Sequence, residues 1–89
     1  MMPERDVQVT NPNGIHARPA AAIVKLAGGF ASHITLARDG MEVNAKSIMG
    51  VMMLAAEFGA TVRITAKGAD ADAALDALAT LVASTFGEH

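Results

Sequence analysis

Asn11-Pro12-Asn13-Gly14-Ile15-His16-Ala17-Arg18-Pro19-Ala20-Ala21-Ala22-Ile23-Val24-Lys25-Leu26-Ala27-Gly28-Gly29 is the stretch that sets the architecture. Its first four residues are a turn signal, and the run from Ala17 to Ala27 is rich in helix formers before the Gly28-Gly29 stop. His16 is therefore the expected N-cap. Pro19 falls in the first turn, where a missing N–H is tolerated because those donors have no intrahelical partner. A helix beginning presents free N–H groups and about half a positive charge, which favours an anion and disfavours an imidazolium. That field and Arg18 together favour a neutral imidazole, whose unprotonated nitrogen is nucleophilic. Arg18 adds a planar fork suited to phosphate or carboxylate.

A neutral histidine, an arginine and a helix terminus fit phosphoryl transfer, which asks a protein mainly for positioning and charge stabilisation. General acid–base work by histidine normally uses an orienting third group, and the local sequence offers no carboxylate for it. Read without context, the same residues also describe a histidine that only caps a helix beside a solvated arginine.

Upstream, Arg5-Asp6-Val7-Gln8-Val9-Thr10 alternates polar and apolar residues like a half-buried strand, with Val7 and Val9 on one side. Along the helix, Ala20, Ile23, Val24, Ala27 and Phe30 make one apolar stripe; Lys25 lies off it, two turns from Arg18, where it extends a positive surface or is simply solvated. Ser32-His33-Ile34-Thr35-Leu36-Ala37 and Met41-Glu42-Val43-Asn44 read as strands joined by an Asp39-Gly40 hairpin turn. Ser47 is suited to cap a short helix over Ile48-Met49-Gly50-Val51-Met52-Met53-Leu54. Ile48, Met49 and Met52 cannot all point inward from so short a helix, so an adaptable apolar contact patch is expected there, with Met53 and Leu54 as core fillers. After a Glu57-Phe58-Gly59 turn, Ala60-Thr61-Val62-Arg63-Ile64-Thr65-Ala66 is the clearest strand, with Val62 and Ile64 inward. The final helix opens on Asp70 and Asp72 and shows one face through Ala71, Ala74, Leu75, Leu78, Val82 and Phe86. Asp70, Asp72 and Asp76 read as a capped, solvated helix rather than a cation site.

The order strand, helix, strand, strand, short helix, strand, helix fits an α+β protein of two layers, an antiparallel sheet with helices on one side. With 89 residues one domain is expected, spanning 1–89. Cysteine is absent, which excludes disulfides, thiolate catalysis and cysteine-type zinc sites. His16, His33 and His89 lack ligand spacing, so no metal is expected; His33 reads as a strand residue and His89 as part of a frayed end. The start lacks a signal-peptide pattern and no apolar run reaches transmembrane length, so a cytoplasmic protein without stable membrane association is expected. Net charge −2, scattered cations and the absence of Tyr and Trp argue against nucleic-acid binding.

Gly14-Ile15-His16-Ala17-Arg18-Pro19-Ala20 followed by Asn44-Ala45-Lys46-Ser47-Ile48-Met49-Gly50-Val51-Met52 resembles the histidine-containing phosphocarrier proteins (HPr) of the bacterial sugar phosphotransferase system. The likeness covers nearly the whole chain, with Gly59-Ala60-Thr61-Val62 and Ala66-Lys67-Gly68-Ala69-Asp70-Ala71 also in place. It implies an open-faced β-sandwich, βαββαβα, with spatial strand order 1-4-2-3 and His16 open to solvent at one edge. It further implies that His16 takes a phosphoryl group on Nδ1 from enzyme I, itself charged by phosphoenolpyruvate, and passes it to an enzyme IIA component. Arg18 is then its charge partner, and Ala17, Lys25, Ile48, Met49 and Met52 are expected to meet partners. Ser47 corresponds to the regulatory serine of the branch with a dedicated kinase, which adds a serine kinase/phosphorylase and a transcriptional regulator to the expected partners. The implied protein is a monomeric, stoichiometric relay without cofactor, not a turnover enzyme. Two other readings stay open: a regulatory module of the same fold, including a nitrogen-branch phosphocarrier, acting through Ser47; and a small hydrolase with His16 as acid/base, for which no second catalytic group is visible.

Overall fold

The computed structural model describes residues 3–54 and 56–84; Phe86 and His89 lie outside them. The elements run β1 (Glu4–Gln8), α1 (Ala17–Ala27), β2 (His33–Arg38), β3 (Met41–Asn44), α2 (Ile48–Met53), β4 (Thr61–Lys67) and α3 (Ala71–Ala83). The strands form one sheet in the order β1-β4-β2-β3, antiparallel throughout. Two layers with an antiparallel sheet are what the element order leads one to expect, and the strand order is the one that the resemblance implies.

Alternation decides which face of the sheet is covered. Val62, Ile64 and Ala66 of β4 and Ile34 and Leu36 of β2 are buried, and the register sets Leu36 opposite Ile64 and Ile34 opposite Ala66. α1 lays Ala20, Ile23 and Ala27 into the same core and α3 lays in Ala71, Ala74, Leu75 and Leu78, with Pro19, Ala79 and Val82 also buried. Each large side chain taken fully out of water here contributes about 1.5–3 kcal/mol relative to exposure. The other face of the sheet carries the polar half of the alternation. Its Arg63 Nε donates to Asp6 at 2.9 Å across the β1–β4 pair, a solvated pairing of modest worth.

The turns follow local chemistry. Asp39 (φ 49°) and Gly40 (φ 83°) form the two-residue link of the β2–β3 hairpin, a left-handed pair that Asp tolerates and Gly prefers. β2 starts one residue later than the alternation suggests, because Ser32 is engaged elsewhere. At the head of α3, Asp70 stands at the N-cap position but makes no side-chain bond to the helix, which corrects the expected capped start. Its carboxylate instead accepts from the N–H groups of Ala31 (2.8 Å) and Ser32 (2.9 Å) and from the Ser32 hydroxyl. The Ser32 hydroxyl first, then the Ala31 N–H, hold its pKa below the ordinary aspartate value. Asp76 is paired with Arg5 at 2.6 Å.

A second correction concerns Met53, expected in the core and found 65% exposed. Val51 and Leu54, three residues apart on α2, point inward, and at about 100° per residue Met53 falls on the opposite side from Val51. No helix among the described residues is long and apolar enough to cross a membrane.

Candidate functional site

The loop before α1 is built from inside out. The side chain of Asn11 is fully buried and its Nδ2 donates to the Gly14 carbonyl, while the Gly14 N–H donates to the Asn11 carbonyl at 3.0 Å. Gly14 has φ +65°, and a Cβ there would lie 2.5 Å from the Ala56 carbonyl oxygen. Only glycine allows that approach. It lets the Ile15 N–H reach the Ala56 carbonyl at 2.7 Å, with the Ile15 side chain buried beneath.

His16 leaves this anchored loop with extended backbone (φ −85°, ψ −167°) as the N-cap of α1, and its carbonyl accepts from Ala20 N–H at 2.9 Å. Its side chain makes no capping bond, and the first turn of α1 contains no acidic residue. Pro19 contributes no N–H, so the donors at this terminus are those of Ala17 and Arg18, both exposed residues. His16 is half-buried rather than fully open as expected, between the buried Ile15 and the exposed Ala17. His16, Ala17 and Arg18 are thus brought together at one positively polarised backbone end.

Charge is sorted around it. No Asp or Glu occurs from Val7 through Arg38 or from Val43 through Ala56, so α1 carries Arg18 and Lys25, and the turn before α2 carries Lys46, with no carboxylate in either segment. Lys25 sits in the last turn of α1, about 13 Å along the axis from His16, and is not part of the site itself. Lys46 is tied down, its Nζ donating to the Phe30 carbonyl at 2.7 Å.

α2 lies beside the site. It packs against α1 and β3, and the Ile15 to Ala56 bond joins the His16 loop to the segment that follows it. Ile48, Met49 and Met52 are exposed, as the sequence leads one to expect, with Met49 the most open at 72%. Ser47 is the N-cap of α2, and its Oγ accepts from Gly50 N–H at 3.2 Å. It stands at the opposite end of α2 from Ala56, whose carbonyl anchors the His16 loop. His33 is exposed on β2. No cluster of three or more His, Asp or Glu side chains placed to hold a metal occurs among the described residues.

Two features escaped the sequence reading. Asn11, which looked like one more turn residue, is the buried pin of the loop; its place three residues before a glycine was the available signal. Phe58 is 64% exposed next to Glu57, whose backbone touches Gly14, and nothing in the local pattern marked it.

The family model described as "PTS HPr component phosphorylation site" matches residues 3–84. The chain is 49% identical to the phosphocarrier protein HPr of Cupriavidus necator over 98% of both chains. It is 41% identical to the phosphocarrier protein NPr of Shewanella violacea, covering 96% of this chain and 93% of that one. Among solved structures, HPr-C-His from Thermoanaerobacter tengcongensis superposes with a TM-score of 0.95 at 44% identity, covering 99% of each chain.

Proposed function

This chain belongs to the HPr family of phosphocarriers of the bacterial phosphotransferase system, and from that footing we propose that His16 takes up and gives away the phosphoryl group. The observation that carries the assignment is the place of His16 at the N-terminus of α1, where no acidic side chain offsets the helix field. Nδ1 attacks in line the phosphorus of a phosphohistidine on enzyme I. The new P–N bond forms as the donor's P–N bond breaks, and the donor nitrogen leaves with the electron pair. The Arg18 guanidinium and the N–H groups of Ala17 and Arg18 meet the charge on the phosphoryl oxygens. Reversal of the same step hands the group to an enzyme IIA component.

A carrier must hold phosphate lightly. Each ~1.4 kcal/mol of extra stabilisation of the phosphorylated form shifts the equilibrium about tenfold toward retention. One arginine and two backbone donors are a weak enough grip; a cage of lysines would be a trap. Partners dock across Ala17, Lys25, Ile48, Met49 and Met52, a cationic and apolar surface suited to acidic proteins with an apolar centre. The relay operates in the cytoplasm as a stoichiometric component rather than a turnover catalyst.

Ser47 is the regulatory position of this reading. Its oxygen already accepts from Gly50 N–H, and a phosphate there suits the helix start, so modification leaves α2 folded. The added dianion repels acidic partners from the neighbouring methionines. A serine kinase/phosphorylase and a transcriptional regulator belong to this branch of the proposal. The NPr relative favours a second reading, in which the same relay serves a nitrogen-branch pathway.

Phosphorus NMR on protein charged with enzyme I and phosphoenolpyruvate tests the assignment. Wild type gives acid-labile phosphorus on nitrogen, and His16→Ala gives none while keeping its circular dichroism. Persistent labelling of His16→Ala removes the assignment.

A further inference from the structure

Every methionine among the described residues lies on the surface, with Met49 72%, Met53 65%, Met52 46% and Met41 44% exposed. The core is built without them, from Val, Ile, Leu and Ala. α2 carries three of the four, and Met41 joins Met53 in lining one surface hollow with Arg38, Asp39, Leu54 and Glu57. The chain has no cysteine, tyrosine or tryptophan, so these thioethers are its most readily oxidised side chains. We infer that Met49, Met52 and Met53 form an oxidation site for peroxide, and that their conversion to sulfoxides uncouples the carrier from its partners while leaving it folded. The inference rests on reading α2 as a docking surface.

In each event a sulfur lone pair attacks one oxygen of hydrogen peroxide. The S–O bond forms as the O–O bond breaks, and the departing hydroxide takes the proton of the transferred oxygen to leave as water. Sulfur is oxidised by two electrons and the peroxide reduced by two. The product replaces a flexible apolar side chain by a polar one bearing a strong acceptor, which resists desolvation in an apolar contact. Val51 and Leu54, the residues that anchor α2 in the core, are untouched by the reaction. The fold is therefore spared where the docking surface is not, and methionine sulfoxide reductases make the change reversible.

Brief treatment of the whole protein with hydrogen peroxide, followed by peptide mass mapping, is expected to add one oxygen to each of Met49, Met52 and Met53 with little change in the melting curve. Phosphorylation by enzyme I at sub-saturating carrier is expected to fall at least about tenfold and to recover after methionine sulfoxide reductase. A Met49→Leu, Met52→Leu, Met53→Leu variant, whatever its own rate of transfer, is expected to keep that rate through the same peroxide treatment. An oxidised carrier that transfers at the untreated rate, one that unfolds, or a leucine variant that stays sensitive overturns the inference. Met49→Glu, assayed without peroxide, separates the two readings. If it slows transfer while oxidation does not, docking through α2 stands and the oxidation switch falls; if neither slows transfer, docking through α2 falls and the switch with it.

Discussion

At the start of α1 the cap is His16, the first turn holds no acid, and the donors face outward beside Arg18. At the start of α3 the cap is Asp70, Asp72 follows in the first turn, and the Asp70 carboxylate is bound by Ala31 and Ser32. Neither cap side chain bonds its own helix. The backbone physics is the same at both ends, about half a positive charge on N–H groups that have no partner within their own helix. What differs is whether the chain supplies the anion. α3 brings its own carboxylates and spends its start on holding the segment before β2 in place, whereas α1 has none, and the proposed function puts the phosphoryl group there.

The comparison is broken most severely by giving α1 what α3 has. Ala17→Asp places a carboxylate at the first helical position, and its charge opposes the incoming phosphoryl group in the same space. Transfer from enzyme I is expected to fall by about tenfold or more, while thermal stability rises by about 0.3–1 kcal/mol from the favourable helix-end charge. Rapid-quench phosphorylation and a melting curve on one preparation check both signs. A variant that is stabilised and equally active would show that the open terminus is irrelevant to the chemistry.

The converse change acts on α3. The folded carboxyl of Asp70 titrates below its unfolded value, so the unfolded chain binds its proton first as pH falls. Stability from this site is complete above the ordinary aspartate pKa of about 3.9 and is lost as pH falls through the lower folded value. Asp70→Asn is expected to lower stability at neutral pH and to flatten the acid limb of the melting temperature against pH, with phosphoryl transfer unchanged at neutral pH. An acid limb as steep as that of wild type would mean that other carboxylates carry it.

The smallest effect sharpens the boundary of the α1 site. Lys25 lies at the far end of the helix and is exposed, so Lys25→Ala is expected to slow association with enzyme I by less than roughly threefold, an effect erased by salt. A larger loss that survives high salt would extend the site along the whole helix.

Most elements were legible because their signals are local. The His16 cap, the Gly28-Gly29 stop, the Asp39-Gly40 turn and the alternation of Val62 and Ile64 each need only neighbours in sequence. Ser47 showed itself as a cap for the same reason. Strand order did not come from pattern; it came from the resemblance, since alternation fixes faces and not which strands pair. Met53 was misplaced because α2 has no polar side chain from Ile48 to Met53 to set its phase, and only Val51 and Leu54 in the folded core do so. Asp70 was read as a cap because its partners Ala31 and Ser32 lie 39 and 38 residues away. At the site, residue types were legible and the scaffolding was not: Asn11 holds the loop from within, and its burial depends on the whole fold.

The bond from the Ile15 N–H to the Ala56 carbonyl fastens the histidine loop to the chain leaving α2. The loop and that segment are thereby tied together through the backbone. On the proposed reading, a visitor seated on that short helix is thereby aimed at the ring, along a bearing set when the protein folds.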